Sequence, residues 1–171
     1  MHDATRPMPW TVERSGDDKA GLYHALAGEL DALLTGEVDP VANAANAAAA
    51  IYHALRDLNW VGFYLLRDGE LVLGPFQGRP ACVRIPLGKG VCGTAAAQRR
   101  SIVVPDVAAF PGHIACDVES RSELVVPLLS GDALLGVLDL DSPLVGRFDA
   151  VDRAGCASCG AWYCWIGSNR V

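Results

Sequence analysis

The sequence predicts an α+β fold in which a mainly antiparallel sheet is covered by helices. Two observations carry this. Apolar residues recur at helical spacing near both ends of the chain. Between residues 59 and 142 the period drops to two, and tight turns join several of the short apolar runs. A chain of 171 residues suffices for one well-cored domain and is short for two. The expected organisation is a loose arm over residues 1–16 and a single domain over 17–171, with no internal repeat.

From Asp17 to Leu34, the positions Leu22, Ala25, Leu26, Leu30, Leu33 and Leu34 mark one helical face, and Gly36 is placed to end it. Asp39-Pro40 sets a capping side chain before a proline suited to the first helical position. The run VANAANAAAAIYHALRDL continues as an alanine-rich helix, its small side chains suited to close packing on a sheet. NWVGFYLL (59–66), ELVLGPF (70–76) and ACVRIPL (81–87) read as strands, the first two joined at Arg67-Asp68-Gly69. GVCGTAAAQRR (90–100) reads as a short helix and SIVVPDV (101–107) as a short strand, followed by a polar loop over 108–122. LVVPLL (124–129) and ALLGVLDLDS (133–142) pair around Ser130-Gly131-Asp132, and a last helix runs from Asp149 to about Gly167.

The net charge is −6 and no block of Lys or Arg stands out, so nucleic acid is not an expected partner. The N-terminus has no apolar core of a secretory signal, and no apolar stretch approaches a membrane span. A cytoplasmic location follows as the expectation. The six cysteines are then reduced thiols, available for metal or redox chemistry rather than structural disulfides.

Side chains of a strand alternate faces, so in GVLDLD the acids Asp139 and Asp141 share one face, about 7 Å apart. Aspartate is disfavoured in strands. Asp141 alone reads equally well as opening an Asp-Ser-Pro turn, but that leaves Asp139 without a reason. A covered carboxylate pair fits a bound cation, or a carboxyl kept protonated. In NWVGFYLL, Trp60, Gly62 and Tyr64 share a face. Aromatics at this spacing usually build core, yet Gly62 between them leaves a hollow walled by rings, suited to an apolar or sulfur-containing ligand.

GKGVCGTA contains a formal G-x-G-x-x-G at Gly88, Gly90 and Gly93. A dinucleotide site wants a βαβ unit and a more distant acid; here Asp106 comes too soon and Pro86 interrupts the strand. The glycines still open a helix N-terminus, whose free N–H groups could hold a carboxylate. CASCGAWYC places Cys156, Cys159 and Cys164 on one helix among small residues, which packing explains better than zinc or thioredoxin-like chemistry. His113 and Cys116 lack two further obvious ligands, so no metal is expected. Cys116 itself is out of place for an inert thiol. It lies in a polar segment with His113, Asp117, Glu119 and Glu123, at the mouth of an apolar strand.

These segments together resemble a known family. NWVGFYLL, LGPFQGRPACVRIPLGKGVCGTAA, VPDVAAFPGHIACDVESRSELVVPL and GVLDLDSP-x4-F are similar to the free methionine-(R)-sulfoxide reductases, stand-alone GAF-domain enzymes, over about residues 20 to 155. The resemblance implies a six-stranded antiparallel sheet flanked by helices, with a small closed cavity for a free amino acid. It implies Cys116 as the nucleophile, Cys82 as the principal resolving cysteine and Cys92 as a second one. It implies that Glu123, Asp139 and Asp141 contact substrate and that Trp60 and Tyr64 line the pocket. Thioredoxin, itself supplied by NADPH and thioredoxin reductase, is the usual reductant; no bound cofactor is implied, and homodimers are common. Cys156, Cys159 and Cys164 are not part of that pattern.

The residue chemistry agrees with this implication. A thiolate at Cys116 that takes the sulfoxide oxygen becomes a sulfenic acid, which a second thiol must trap as a disulfide. Paired acids suit a substrate ammonium. One acid kept protonated could protonate the departing oxygen, and Glu123 is the nearest to Cys116 in sequence. Carboxylates also disfavour a neighbouring thiolate, a cost that the substrate ammonium and helix N-termini are expected to offset. Two other classes compete. A non-catalytic GAF sensor for a small molecule would need no cluster of thiols and usually accompanies an output domain. A redox-responsive structural subunit finds its best argument in the C-terminal cysteines.

Overall fold

A computed structural model of the chain describes residues 18–114 and 116–168, with side chains to residue 159. The arm over 1–16 and the side chain of Cys164 lie outside the described residues. Helix α1 (Lys19–Leu34) starts where Asp18 accepts from the Gly21 N–H at 2.9 Å, and buries Tyr23, Leu26, Leu30 and Leu34 along one stripe. Helix α2 (Pro40–Ala54) starts at Asp39, whose carboxylate accepts from Val41 N and Ala42 N, with Pro40 at the first turn as expected. It stops earlier than the periodicity predicts, at Leu55, whose N–H still bonds back to the Ile51 carbonyl. Asp57 just beyond adopts φ 60°, a left-handed conformation that cannot continue a helix.

The sheet holds six strands in the order β3-β2-β1-β6-β5-β4, every neighbouring pair antiparallel. The strands are β1 (Trp60–Arg67), β2 (Glu70–Gln77), β3 (Arg84–Pro86), β4 (Ile102–Val104), β5 (Ser122–Ser130) and β6 (Ala133–Ser142). The β1–β2 hairpin turns through Asp68 and Gly69, both at positive φ, the conformation that matches the twist of paired strands. Two predicted strands are shorter than read. Only three residues pair in β3, which follows Pro80 and ends on Pro86, a residue with no N–H to donate, and only three pair in β4, before Pro105.

Alternation along the strands divides the interior in two. Val61, Phe63, Leu124, Val126, Leu138 and Leu140 point to the face covered by α1, α2 and the last helix, α4 (Ala150–Ser168). Trp60, Tyr64, Val125 and Val137 point to the other face, which helix α3 (Gly90–Gln98) covers as the chain crosses from one sheet edge to the other. The alanines of α2 pack directly on the sheet. At the far end, buried Asp152 accepts from Tyr23 Oη at 3.0 Å, Lys19 Nζ at 2.8 Å and Arg147 Nη1 at 3.0 Å, tying α4 to α1. Cys156 and Cys159 are buried in that layer, Cys156 Sγ 3.6 Å from Tyr23 Oη, as small packing residues.

Candidate active site

The acids predicted to share a face do so, and the ladder sets their positions. Glu123 of β5 lies directly opposite Asp141 of β6, while Asp139 lies opposite Val125 on one side and Gly62 on the other. Glu123 and Asp139 are buried and Asp141 is partly open. Burial raises all three carboxyls well above the ordinary carboxylate range. For Glu123 the Asp141 charge adds to this, for Asp139 the Glu123 charge, and for Asp141 the Asp139 charge. One Asp139 oxygen, Oδ1, is buried without a hydrogen-bond partner. The pocket these acids face contains no Lys or Arg among its lining residues.

Across the pocket sits α3. Its N-terminal residues Gly90, Val91 and Cys92 line the wall, and Lys89 caps it without a side-chain bond, so backbone N–H groups are left for a ligand. The G-x-G-x-x-G reading is resolved as packing. Gly90 adopts φ 59° against Ile114, and a Cβ on Gly93 would stand 2.3 Å from the Pro86 carbonyl oxygen. Cys92 Sγ is 3.8 Å from Glu123 Oε1 and is fully enclosed, which together with the nearby acids pushes its thiol up.

The loop after β4 closes the mouth. A single 3-10 turn over Val107–Ala109 leads into it, and His113, Ile114, Cys116, Asp117 and Ser120 reach the pocket. His113 Nε2 stands 3.6 Å from Glu123 Oε2, and partial burial lowers its affinity for a proton. Cys116 is joined to Cys82 in a disulfide, with the Cα atoms 5.4 Å apart across a sequence separation of 34 residues. The pocket beneath holds about 30 Å³ of space for water-sized groups. Among the described cysteines, Cys92, Cys156 and Cys159 remain free.

Three residues that the sequence pattern did not single out hold this loop. Asn59 Nδ2 donates to Asp117 Oδ2 and to Ser120 Oγ, both at 3.0 Å. Ser120 in turn hydrogen-bonds Asp141. Arg79, three residues before Cys82, pairs with Glu119 at 2.9 Å and with Asp117 at 3.8 Å. The chain segment carrying one cysteine is thus clamped to the loop carrying the other. No periodicity or motif marks such partners, because the pairings of Asn59 and Arg79 span about 40 residues or more.

The hollow expected over Gly62 is filled. A Cβ there would stand 2.4 Å from Trp60 Cη2 and 2.5 Å from Phe76 Cβ, because the indole lies across the glycine. Trp60 stacks on Phe76 at 5.4 Å and on Tyr64 at 5.8 Å, so Tyr64 lines the pocket and Trp60 stands one ring behind it. The glycine therefore makes room for a wall.

A redox pair of cysteines over a buried acidic pocket on this sheet has counterparts among known proteins. The model of the GAF domain matches residues 42–155. The free methionine-R-sulfoxide reductase of Escherichia coli is 51% identical over 138 residues, 81% of this chain and 84% of that protein. The chain belongs to the free methionine-R-sulfoxide reductase family of GAF proteins. The family member of Saccharomyces cerevisiae is 46% identical over 144 residues, 80% of each chain. The reductase of Neisseria meningitidis, solved in complex with its substrate, superposes with a TM-score of 0.87 at 44% identity, covering 92% of this chain and 95% of that one. Among the described residues of this reductase-family chain, no helix is long and apolar enough to cross a membrane.

Proposed function

We propose that the chain reduces free L-methionine-(R)-sulfoxide to methionine, and that Cys116 is the sulfur that does so. The observation carrying this reading is the Cys82–Cys116 bond formed directly over a pocket lined by Glu123, Asp139 and Asp141. In the reduced protein the Cys116 thiolate attacks the sulfoxide sulfur. The oxygen, protonated by a neighbouring carboxyl, passes to Cys116 as a sulfenic acid, and methionine leaves with the electron pair on its sulfur. The Cys82 thiol then displaces that oxygen as water and forms the disulfide. Two electrons and two protons from an external dithiol, for which thioredoxin is the proposed donor, restore both thiols by exchange.

The raised carboxyls supply what the first step needs. A carboxyl that burial and its neighbours keep protonated can deliver a proton to the departing oxygen, and Glu123 is the proposed donor. Asp139 and Asp141 are proposed to hold the substrate ammonium, a role supported by the unpartnered Asp139 oxygen and by the lack of any cationic side chain lining the pocket. The open N-terminus of α3 suits the substrate carboxylate. Tyr64 is proposed to flank the thioether, with Trp60 setting its position by stacking. Cys92 is a free thiol beside Glu123 rather than half of the observed bond, which favours Cys82 as the resolving partner.

Thioredoxin-coupled NADPH consumption with the free sulfoxide tests the reading. Wild type turns over and Cys116→Ser does not. Turnover that survives in Cys116→Ser removes the nucleophile. A peptide-bound sulfoxide reduced as fast as the free amino acid removes the closed pocket.

A further inference from the structure

Cys92 has no part in the observed disulfide, yet it is placed among oxygen donors in a way that packing does not require. Its Sγ and one oxygen each from Glu123 and Asp139 lie within 4.8 Å of one another, all three residues being buried. The sulfur is already 3.8 Å from Glu123 Oε1. In a tetrahedral zinc site, bonds of about 2.0 to 2.3 Å put neighbouring ligand atoms roughly 3.5 Å apart, so the cluster is within a small side-chain adjustment of that geometry. Asp139 Oδ1, in a residue 6% exposed that lines the same pocket, has no hydrogen-bond partner. Three protein donors leave the fourth position of the tetrahedron to solvent, since His113 Nε2 approaches only the second Glu123 oxygen, at 3.6 Å, and stands outside the cluster.

We propose that Cys92, Glu123 and Asp139 form a three-ligand binding site for a zinc-class divalent cation within the pocket, with the fourth position open. The donor set selects the class. A thiolate favours zinc, cobalt(II) or cadmium over magnesium and calcium, which want oxygen donors. Binding displaces the Cys92 S–H proton and the proton held on the Glu123–Asp139 pair, releases both to solvent and involves no change in oxidation state. The ion takes up the carboxylates that face the pocket, so it and an amino-acid ammonium exclude one another.

This does not rest on the reductase reading, because the test measures binding directly. The protein is used with the Cys82–Cys116 bond closed, which takes both of those sulfurs out of play, and is titrated with Co²⁺ alone. One equivalent produces a near-ultraviolet sulfur-to-cobalt charge-transfer band, Zn²⁺ bleaches it, and a hundredfold excess of Mg²⁺ or Ca²⁺ does not. The band is lost in Cys92→Ala and affinity falls at least tenfold in Asp139→Asn, whereas the triple substitution Cys156→Ala, Cys159→Ala, Cys164→Ala keeps both. Absence of the band in wild type, its survival in Cys92→Ala, its loss in the triple variant, or indifference to Asp139→Asn overturns the proposal.

Discussion

Arg79→Ala isolates how the two cysteines are brought together. The side chain pairs with Glu119 at 2.9 Å and Asp117 at 3.8 Å, and it is 60% exposed, as Glu119 is 55% exposed. Exposed pairs are worth only about 0.2 to 1 kcal/mol each, so the clamp contributes about 1 kcal/mol after solvent screening. At 1.4 kcal/mol per factor of ten, that is roughly a fivefold loss in the local concentration of the Cys82 thiol at oxidised Cys116. The fold should not change, since the Arg79 carbonyl still accepts from Trp60 Nε1 at 3.1 Å. In a single turnover quenched with an alkylating agent, the variant should form the disulfide about five times more slowly and methionine at the wild-type rate. The stranded sulfenic acid should then over-oxidise, raising the sulfinic form of Cys116 in the mass spectrum. About 0.5 M salt should bring the wild type down towards the variant, because screened surface charges lose most of their attraction. Equal closure rates, or a slowdown that salt does not reproduce in wild type, would refute the clamp.

The acids make two further predictions. Burial and neighbouring charge hold a proton on the Glu123–Asp139 pair, so kcat/KM should fall as pH rises through that raised value. Glu123→Gln should lower kcat about 10² to 10⁴-fold and remove this alkaline limb from the pH–rate profile; a limb that persists reassigns the proton donor. Asp139→Asn should raise stability while weakening substrate binding. A carboxyl raised in the folded state contributes its stability below the unfolded value near pH 4 and loses it as pH climbs through the folded one. The unfolding free energy of the variant in urea titration should therefore exceed wild type at pH 8, by about 1 to 3 kcal/mol, and not at pH 4; a gain independent of pH would contradict the linkage. Gly62→Ala forces Trp60 and Phe76 apart and should cost about 1 to 3 kcal/mol in thermal unfolding and raise KM, whereas an unchanged KM would separate Trp60 from the pocket.

Alternation made most of the sheet legible from the chain alone. Asp139 and Asp141 were placed on one face of their strand, and Trp60 and Tyr64 on one face of theirs, because every second side chain must be, and β1 and β6 are long enough for that rule to hold. The caps at Asp39-Pro40 and the turn at Asp68-Gly69 were equally local. What failed was non-local. The space over Gly62 depends on how an indole two residues away folds back and on Phe76 from the next strand, neither of which has a sequence signature. The short β3 and β4 are the exception, since Pro80, Pro86 and Pro105, which limit them, stand in the sequence. Arg79 and Asn59 remained unassigned because their partners are non-local, although Arg79 sits within a segment that carried the family resemblance. The pairing of Cys82 with Cys116 came from that resemblance, and spacing alone would have left Cys92 as an equal candidate.

The ladder that carries Glu123 opposite Asp141 and Asp139 opposite Gly62 has one further consequence. Groups whose mutual repulsion sets their proton affinity sit on hydrogen-bonded backbone, where a shift of even one residue would break the whole sheet. Cys116, the proposed nucleophile, sits on a connecting segment instead. On the proposed reading the molecule thus keeps its electrostatic field stationary while that sulfur changes company, and the motion that completes a cycle need not disturb the charges that began it.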